Sequence, residues 1–122
     1  MSYNQNLTMI RGDTKRWIST VFNYDGTVMT DLSGCSFWFT AKVLYTTADP
    51  GVFQKTLGTG IALVPANPGN ILITLLNADT VSLTNEDTML HYDLQMKDAT
   101  GNIDTLTYGT LFVMPEVTLA IA

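Results

Sequence analysis

Charge is scarce in this sequence. Lys, Arg, Asp and Glu make up 14% of the 122 residues, where about 25% is usual for a soluble domain. The six cations are scattered between Arg11 and Lys97 and are outnumbered by eleven acids, for a net charge of -5. Nothing here attracts a polyanion, so nucleic acid is not an expected partner. Cysteine is almost absent too. Cys35 stands alone, which excludes an internal disulfide framework and a thiolate cage for zinc, and fits folding in a reducing compartment. Thr, Asn or Gly interrupts every apolar run well before membrane-spanning length, so no membrane is expected as a partner. The opening Met1-Ser2-Tyr3-Asn4-Gln5-Asn6 is polar and uncharged, unlike a secretory signal, and points to a product made and folded in a cytoplasm.

What is present is alternation. In Leu90-His91-Tyr92-Asp93-Leu94-Gln95-Met96-Lys97 apolar and polar residues change places at every step, until Asp98-Ala99-Thr100-Gly101-Asn102 stops the pattern. A period of two puts Leu90, Tyr92, Leu94 and Met96 on one face of a strand and forms no stripe on a helix. The stretch therefore reads as a half-buried antiparallel strand entering a hairpin. Similar patterns recur. Residues 7–10 form a short strand closed by Arg11-Gly12-Asp13, and residues 14–24 form another, ending at an Asp25-Gly26 turn. In the latter, Ile18, Thr20 and Phe22 share the face opposite Trp17, Ser19 and Val21, so both faces carry large apolar groups. Residues 35–45 follow, with Cys35, Phe37, Phe39, Ala41 and Val43 assigned to the core and Trp38 pointing outward in mid-strand. An outward indole wastes apolar area unless something covers it.

Further strands are expected at 52–56, 61–64, 70–76 and 103–113, separated by Asp49-Pro50-Gly51, Gly58-Thr59-Gly60 and Pro65-Ala66-Asn67-Pro68-Gly69. Residues 77–83 offer at most one short helical turn. In the last strand the apolar phase changes between Tyr108 and Leu111, which predicts a bulge at Gly109. Seven or eight strands at this spacing describe one all-β domain, an antiparallel β-sandwich in preference to a barrel. Residues 1–6 are then an N-terminal arm, 7–114 the sandwich, and 115–122 an apolar C-terminal tail that docks on its own domain or on a neighbour.

Catalytic signatures are weak. Cys35 faces the core, His91 lies on a polar face beside Asp93, and neither a nucleophile elbow nor a phosphate loop is present, so no enzyme and no cofactor or metal are expected. Arg11-Gly12-Asp13 spells an integrin-read tripeptide, yet it reads better as a turn in which Gly12 bends the chain and Asp13 accepts backbone hydrogen bonds. Asp98-Ala99-Thr100-Gly101-Asn102-Ile103-Asp104 lacks the alternating acids of a calcium loop and is explained as a hairpin turn. Trp17, Trp38, Tyr45 and Tyr108 are candidates for an aromatic platform that binds host-surface glycans, the alternative to packing in core and interface.

Several landmarks fall into one order: Ile10-Arg11-Gly12-Asp13-Thr14, then Asp31-Leu32-Ser33-Gly34-Cys35-Ser36-Phe37-Trp38-Phe39-Thr40-Ala41-Lys42, Val52-Phe53-Gln54-Lys55 and Gly60-Ile61. Asn77-Ala78-Asp79-Thr80, Tyr92-Asp93-Leu94-Gln95, Asp98-Ala99-Thr100-Gly101 and Gly109-Thr110-Leu111-Phe112-Val113 continue it. Over residues 7–113 the series resembles the N-terminal domain of phage baseplate upper proteins and related small phage virion proteins. The resemblance implies an immunoglobulin-like β-sandwich that works by assembly, as a copy in a trimer or hexamer ring, and it brings no catalytic residues. It implies a virion protein: a tail or baseplate adaptor, or a cement protein decorating the capsid. The receptor-binding or fibre-carrying parts of larger members have no counterpart here, so direct host recognition is not part of the expectation. Partners would be further copies of the chain and other virion proteins. The uncharged surface suits such burial, and Ile18, Phe22, Trp38, Val117, Leu119 and Ile121 are the contacts expected.

Overall fold

The computed structural model describes residues 3–119. Among them, nine strands and one helical turn follow in order: β1 (Tyr3–Asn4), β2 (Leu7–Ile10), β3 (Lys15–Thr20), β4 (Ser36–Lys42), β5 (Phe53–Leu57), β6 (Gly60–Leu63), β7 (Asn70–Leu75), α1 (Asn77–Thr80), β8 (Thr88–Lys97) and β9 (Ile103–Met114). The fold is nearly all β, and the strands join one mixed sheet in the order β1-β9-β8-β4-β5-β6-β7-β3, with β2 also on β9.

Alternation decides which side chains the sheet buries. β8 buries Leu90, Tyr92, Leu94 and Met96, β4 buries Phe37, Phe39 and Ala41, and β7 buries Ile71, Ile73 and Leu75. β8 turns into β9 through residues 98–102, where the Asp98 carboxylate accepts from the backbone N–H of Thr100 and of Asn102, 3.0 and 2.9 Å away. The strand and hairpin read from residues 90–102 are thus present.

The sheet curls. Phe39 of β4 stacks on Tyr92 and Phe53, with centroids 5.0 and 6.0 Å away, and meets the edge of Trp17 of β3 at 5.4 Å. β3 lies beyond β5, β6 and β7 in the strand order, so this contact exists only because the sheet folds over on itself. The two ends of the order also approach one another. Tyr3 of β1 meets Phe22, just past β3, at 6.2 Å, and the Tyr24 hydroxyl donates to Asp104 of β9 at 2.8 Å.

Several elements differ from the sequence reading. β3 stops at Thr20 and pairs with β7, while residues past it make a small loop in which Phe22 pairs with Val28 around Gly26 at φ +87°. Val43 is exposed, because β4 ends at Lys42 and the chain leaves the sheet before a further inward position arises. The register slip in the last hairpin falls at Leu106, not Gly109: Leu94 pairs with Thr107 and Gln95 with Thr105, leaving Leu106 as the extra, buried residue. Gly109 has another cause. A Cβ there would run into the carbonyl oxygen of Gln5, where the segment between β1 and β2 crosses β9. β1 and β2 lie parallel to β9, so Tyr3 and Asn4 belong to the sheet.

Candidate functional site

Three of the landmark stretches meet at one buried polar clamp. Arg11 leaves the end of β2 and reaches the turn after α1, donating from Nε to the Leu83 carbonyl at 2.9 Å and from its terminal nitrogens to the Val81 carbonyl at 2.6 Å and to Glu116. Gly12, at φ +82°, donates its N–H to Thr80 Oγ1 at 2.8 Å, and its carbonyl accepts from Asn77 at the same distance. Asp79 of the same turn accepts from the Leu76 N–H at 2.7 Å and pairs with Lys55 Nζ at 2.7 Å. Lys55 is buried, and its stem passes where a side chain on Gly60 would stand. Arg11-Gly12, Lys55 and Asn77-Ala78-Asp79-Thr80 are therefore parts of one scaffold joint. Asp13 is exposed; the long-range polar contacts of this turn are made by the Arg11 side chain and the Gly12 backbone, a correction to the sequence reading. With its guanidinium held inside the clamp, the tripeptide does not present the free arginine that a cell-surface receptor reads.

The outer face of the β5-β4-β8-β9 stretch forms a groove of about 560 Å³. Register fixes its floor. One row across the strands runs Thr56, Trp38, Gln95 and Thr105, the next Gln54, Thr40, Asp93 and Tyr108, and a third Lys42, His91 and Thr110. The loop between β4 and β5 adds two walls: Tyr45, whose ring stacks on His91 with centroids 4.0 Å apart, and Asp49, which pairs with Lys42 at 2.7 Å. Gln54 donates to Thr40 at 3.0 Å and Gln95 to Asp93 at 3.2 Å. Burial, together with the negative Asp49 nearby, holds the Asp93 carboxyl above its ordinary value, with Lys42 and Gln95 pulling the other way. His91 Nδ1 is buried without a hydrogen-bond partner.

Of the four aromatics considered for a platform, Trp38, Tyr45 and Tyr108 line this groove, whereas Trp17 packs into the core with Lys15 Nζ 5.7 Å from its ring centre. Of the six expected contacts, Trp38 is in the groove. Ile18 and Phe22 line a separate slot of about 240 Å³ with Tyr3 and Leu106, between the two ends of the sheet. Val117 and Leu119 are exposed, beyond the point where Glu116 and Asn85 exchange hydrogen bonds of 2.8 and 2.9 Å. In the single chain these two tail residues are uncovered; Ile121 lies outside the described residues.

Cys35 and His91 do not meet. They sit toward opposite ends of the β4–β8 ladder, and Cys35 is buried while His91 faces the groove. Burial pushes the Cys35 thiol up, away from the thiolate form a nucleophile needs. The Asp98 oxygens are occupied by Thr100 and Asn102, which hold the carboxyl below its ordinary value.

The sequence matches no model of a protein family, and no curated protein matches it.

Proposed function

We propose that this chain is a non-enzymatic structural module of a bacteriophage particle, working as a homo-oligomer that decorates the capsid or serves as an adaptor in the tail or baseplate. Its curled sheet is read as an immunoglobulin-like β-sandwich, a reading supported by the contact of Trp17 on β3, one end of the strand order, with Phe39 on β4, four strands away. The observation that carries the assembly reading is the unfilled slot between the ends of the sheet. There stand Ile18, 50% exposed on edge strand β3, and Phe22 just past it, while the other side of β3 is paired to β7.

An apolar residue on a sheet edge is an attachment point, since a second chain can cover it and also take up the edge's backbone groups. Ile18 pairs with half-buried Leu72 on β7, which faces exposed Ala62 on β6, so the apolar row continues inward from the edge. Each contact is worth about 25 cal/mol per Å² buried, less the cost of association. Repetition on a particle then lets weak contacts hold. The ordered landmarks that resemble baseplate-type domains agree with this role, because three of them build the clamp rather than a catalytic site.

The test has two readouts. Analytical ultracentrifugation of the purified chain is expected to show a trimer or hexamer that Ile18→Asp reduces to a folded monomer. Immunogold microscopy of intact phage particles is expected to label the virion, over the head for a cement protein or at one end for an adaptor. A monodisperse wild-type monomer at high concentration, with no label on particles, would refute the proposal.

A further inference from the structure

We infer that the outer groove on β4, β8 and β9 is a binding site for a neutral saccharide. The inference is independent of the assembly reading, because it rests on other residues: where both surfaces reach β9, the groove uses Thr105 and Tyr108 and the slot Leu106 and Thr107.

The composition of the groove selects the ligand. Trp38, Tyr45 and Tyr108 supply aromatic surface at three places, and the axial C–H faces of a pyranose pack on such rings. Trp38 on β4 and Tyr108 on β9 are two strands apart, about 10 Å at the usual strand spacing, which leaves polar β8 between them. Between and beside the rings stand carboxylate and amide groups: Asp93, Gln95 and Gln54. Side chains of this kind, with two polar atoms in one plane, match vicinal hydroxyls, which donate and accept at once. Asp93 is half-buried, so a hydroxyl donor there would be worth more than in water. His91 Nδ1 is a buried nitrogen still lacking a partner on the groove wall.

Charge excludes the other occupants. Lys42 is consumed by Asp49 and Asp93 remains, so the groove offers no net positive field to a phosphate, sulfate or uronate. An apolar protein surface would leave Asp93 and Gln95 with their mutual hydrogen bond and the rest of their donor and acceptor capacity desolvated, at a cost it does not return. A neutral sugar satisfies both the rings and the polar groups.

The experiment is binding of the intact assembled protein to a printed panel of defined neutral and acidic oligosaccharides, followed by titration calorimetry with the best ligand. Tyr45 and Tyr108 are 77% and 44% exposed, so Tyr45→Ala and Tyr108→Ala are expected to fold normally, as checked by thermal melts. Each is expected to weaken neutral-sugar binding by about tenfold or more, as is Gln95→Ala, while Ile18→Asp leaves single-site affinity unchanged. Tryptophan emission should shift on saturation in the wild type and not in Trp38→Phe. No binding across the panel, binding confined to acidic sugars, or affinity untouched by the three groove substitutions would overturn the assignment. So would Tyr108→Ala dissociating the oligomer, which would make the groove a subunit contact.

Discussion

At the scale of single residues, Arg11 and Asp93 show how burial converts polar side chains into opposite effects on stability. The Arg11 and Glu116 side chains are 16% and 11% exposed, and the guanidinium serves two backbone carbonyls besides the carboxylate. Removing it leaves those acceptors and a buried acid unpaired, so Arg11→Met is expected to cost about 2–4 kcal/mol in denaturant unfolding. Asp13→Ala, next door but exposed, should stay within about 0.5 kcal/mol of wild type. Equal losses from the two substitutions would show that the turn itself matters and the clamp does not. Asp93 acts the other way. Its folded carboxyl titrates above the ordinary value, chiefly through desolvation, so the folded state holds this proton more tightly than the unfolded chain does. Ionising Asp93 therefore opposes folding, and the penalty develops as pH rises from the unfolded value, about 3.9, through the raised folded one. Asp93→Asn should raise the melting temperature at pH 7, with the gain vanishing below about pH 3.9; a gain independent of pH would mean that titration is not its cause.

At the scale of elements, β9 explains both what the sequence discloses and what it hides. The β8–β9 hairpin is legible because each strand faces one core and the turn chemistry of Asp98-Ala99-Thr100-Gly101-Asn102 lies in consecutive residues. The slip at Leu106 is harder to place: the phase change in the sequence shows only that an extra residue lies before Leu111, and register against β8 locates it. The parallel pairing of β1 with β9 leaves no periodic mark, since Tyr3 and Asn4 are both exposed and pair through their backbones, whereas β2 alternates but shows nothing of its partner. Gly109 is the local signal of that pairing, legible only once Gln5 is known to cross there. The Tyr92 hydroxyl, which burial pushes up to about 12, donates to the same Gln5 carbonyl at 2.5 Å. Gly109→Val should therefore lift the crossing segment away. Hydrogen exchange is expected to speed up at residues 3–10 while the β4–β8 ladder keeps its protection; uniform acceleration would place the damage in the core instead.

At the scale of the whole molecule, the groove and the slot were both latent in the sequence as outward residues with apolar bulk, but nothing local could sort them. Trp38, Asp93 and Tyr108 share a surface because β8 lies between β4 and β9, and Ile18 and Phe22 share another because the ends of the sheet come together. The separation makes the two surfaces distinguishable by experiment. If the slot mediates assembly, burying Ile18 should lower solvent exposure at Tyr3 and Phe22 together and leave Trp38 as accessible as before. Hydroxyl-radical footprinting at concentrations above and below the association midpoint is then expected to protect Tyr3 and Phe22 selectively, with Tyr45 and Tyr108 equally reactive in both samples. Protection of Tyr108 on association would move the subunit contact into the groove, ending both the sugar assignment and the slot's role in assembly. If Tyr3 and Phe22 are protected and a neutral sugar then shields Tyr45 and Tyr108 in the assembled sample, every copy in a ring presents an open groove. Individually weak sugar contacts would be multiplied by the number of copies, so avidity for an immobilised glycan should fall steeply in the Ile18→Asp monomer although its affinity per site is unchanged.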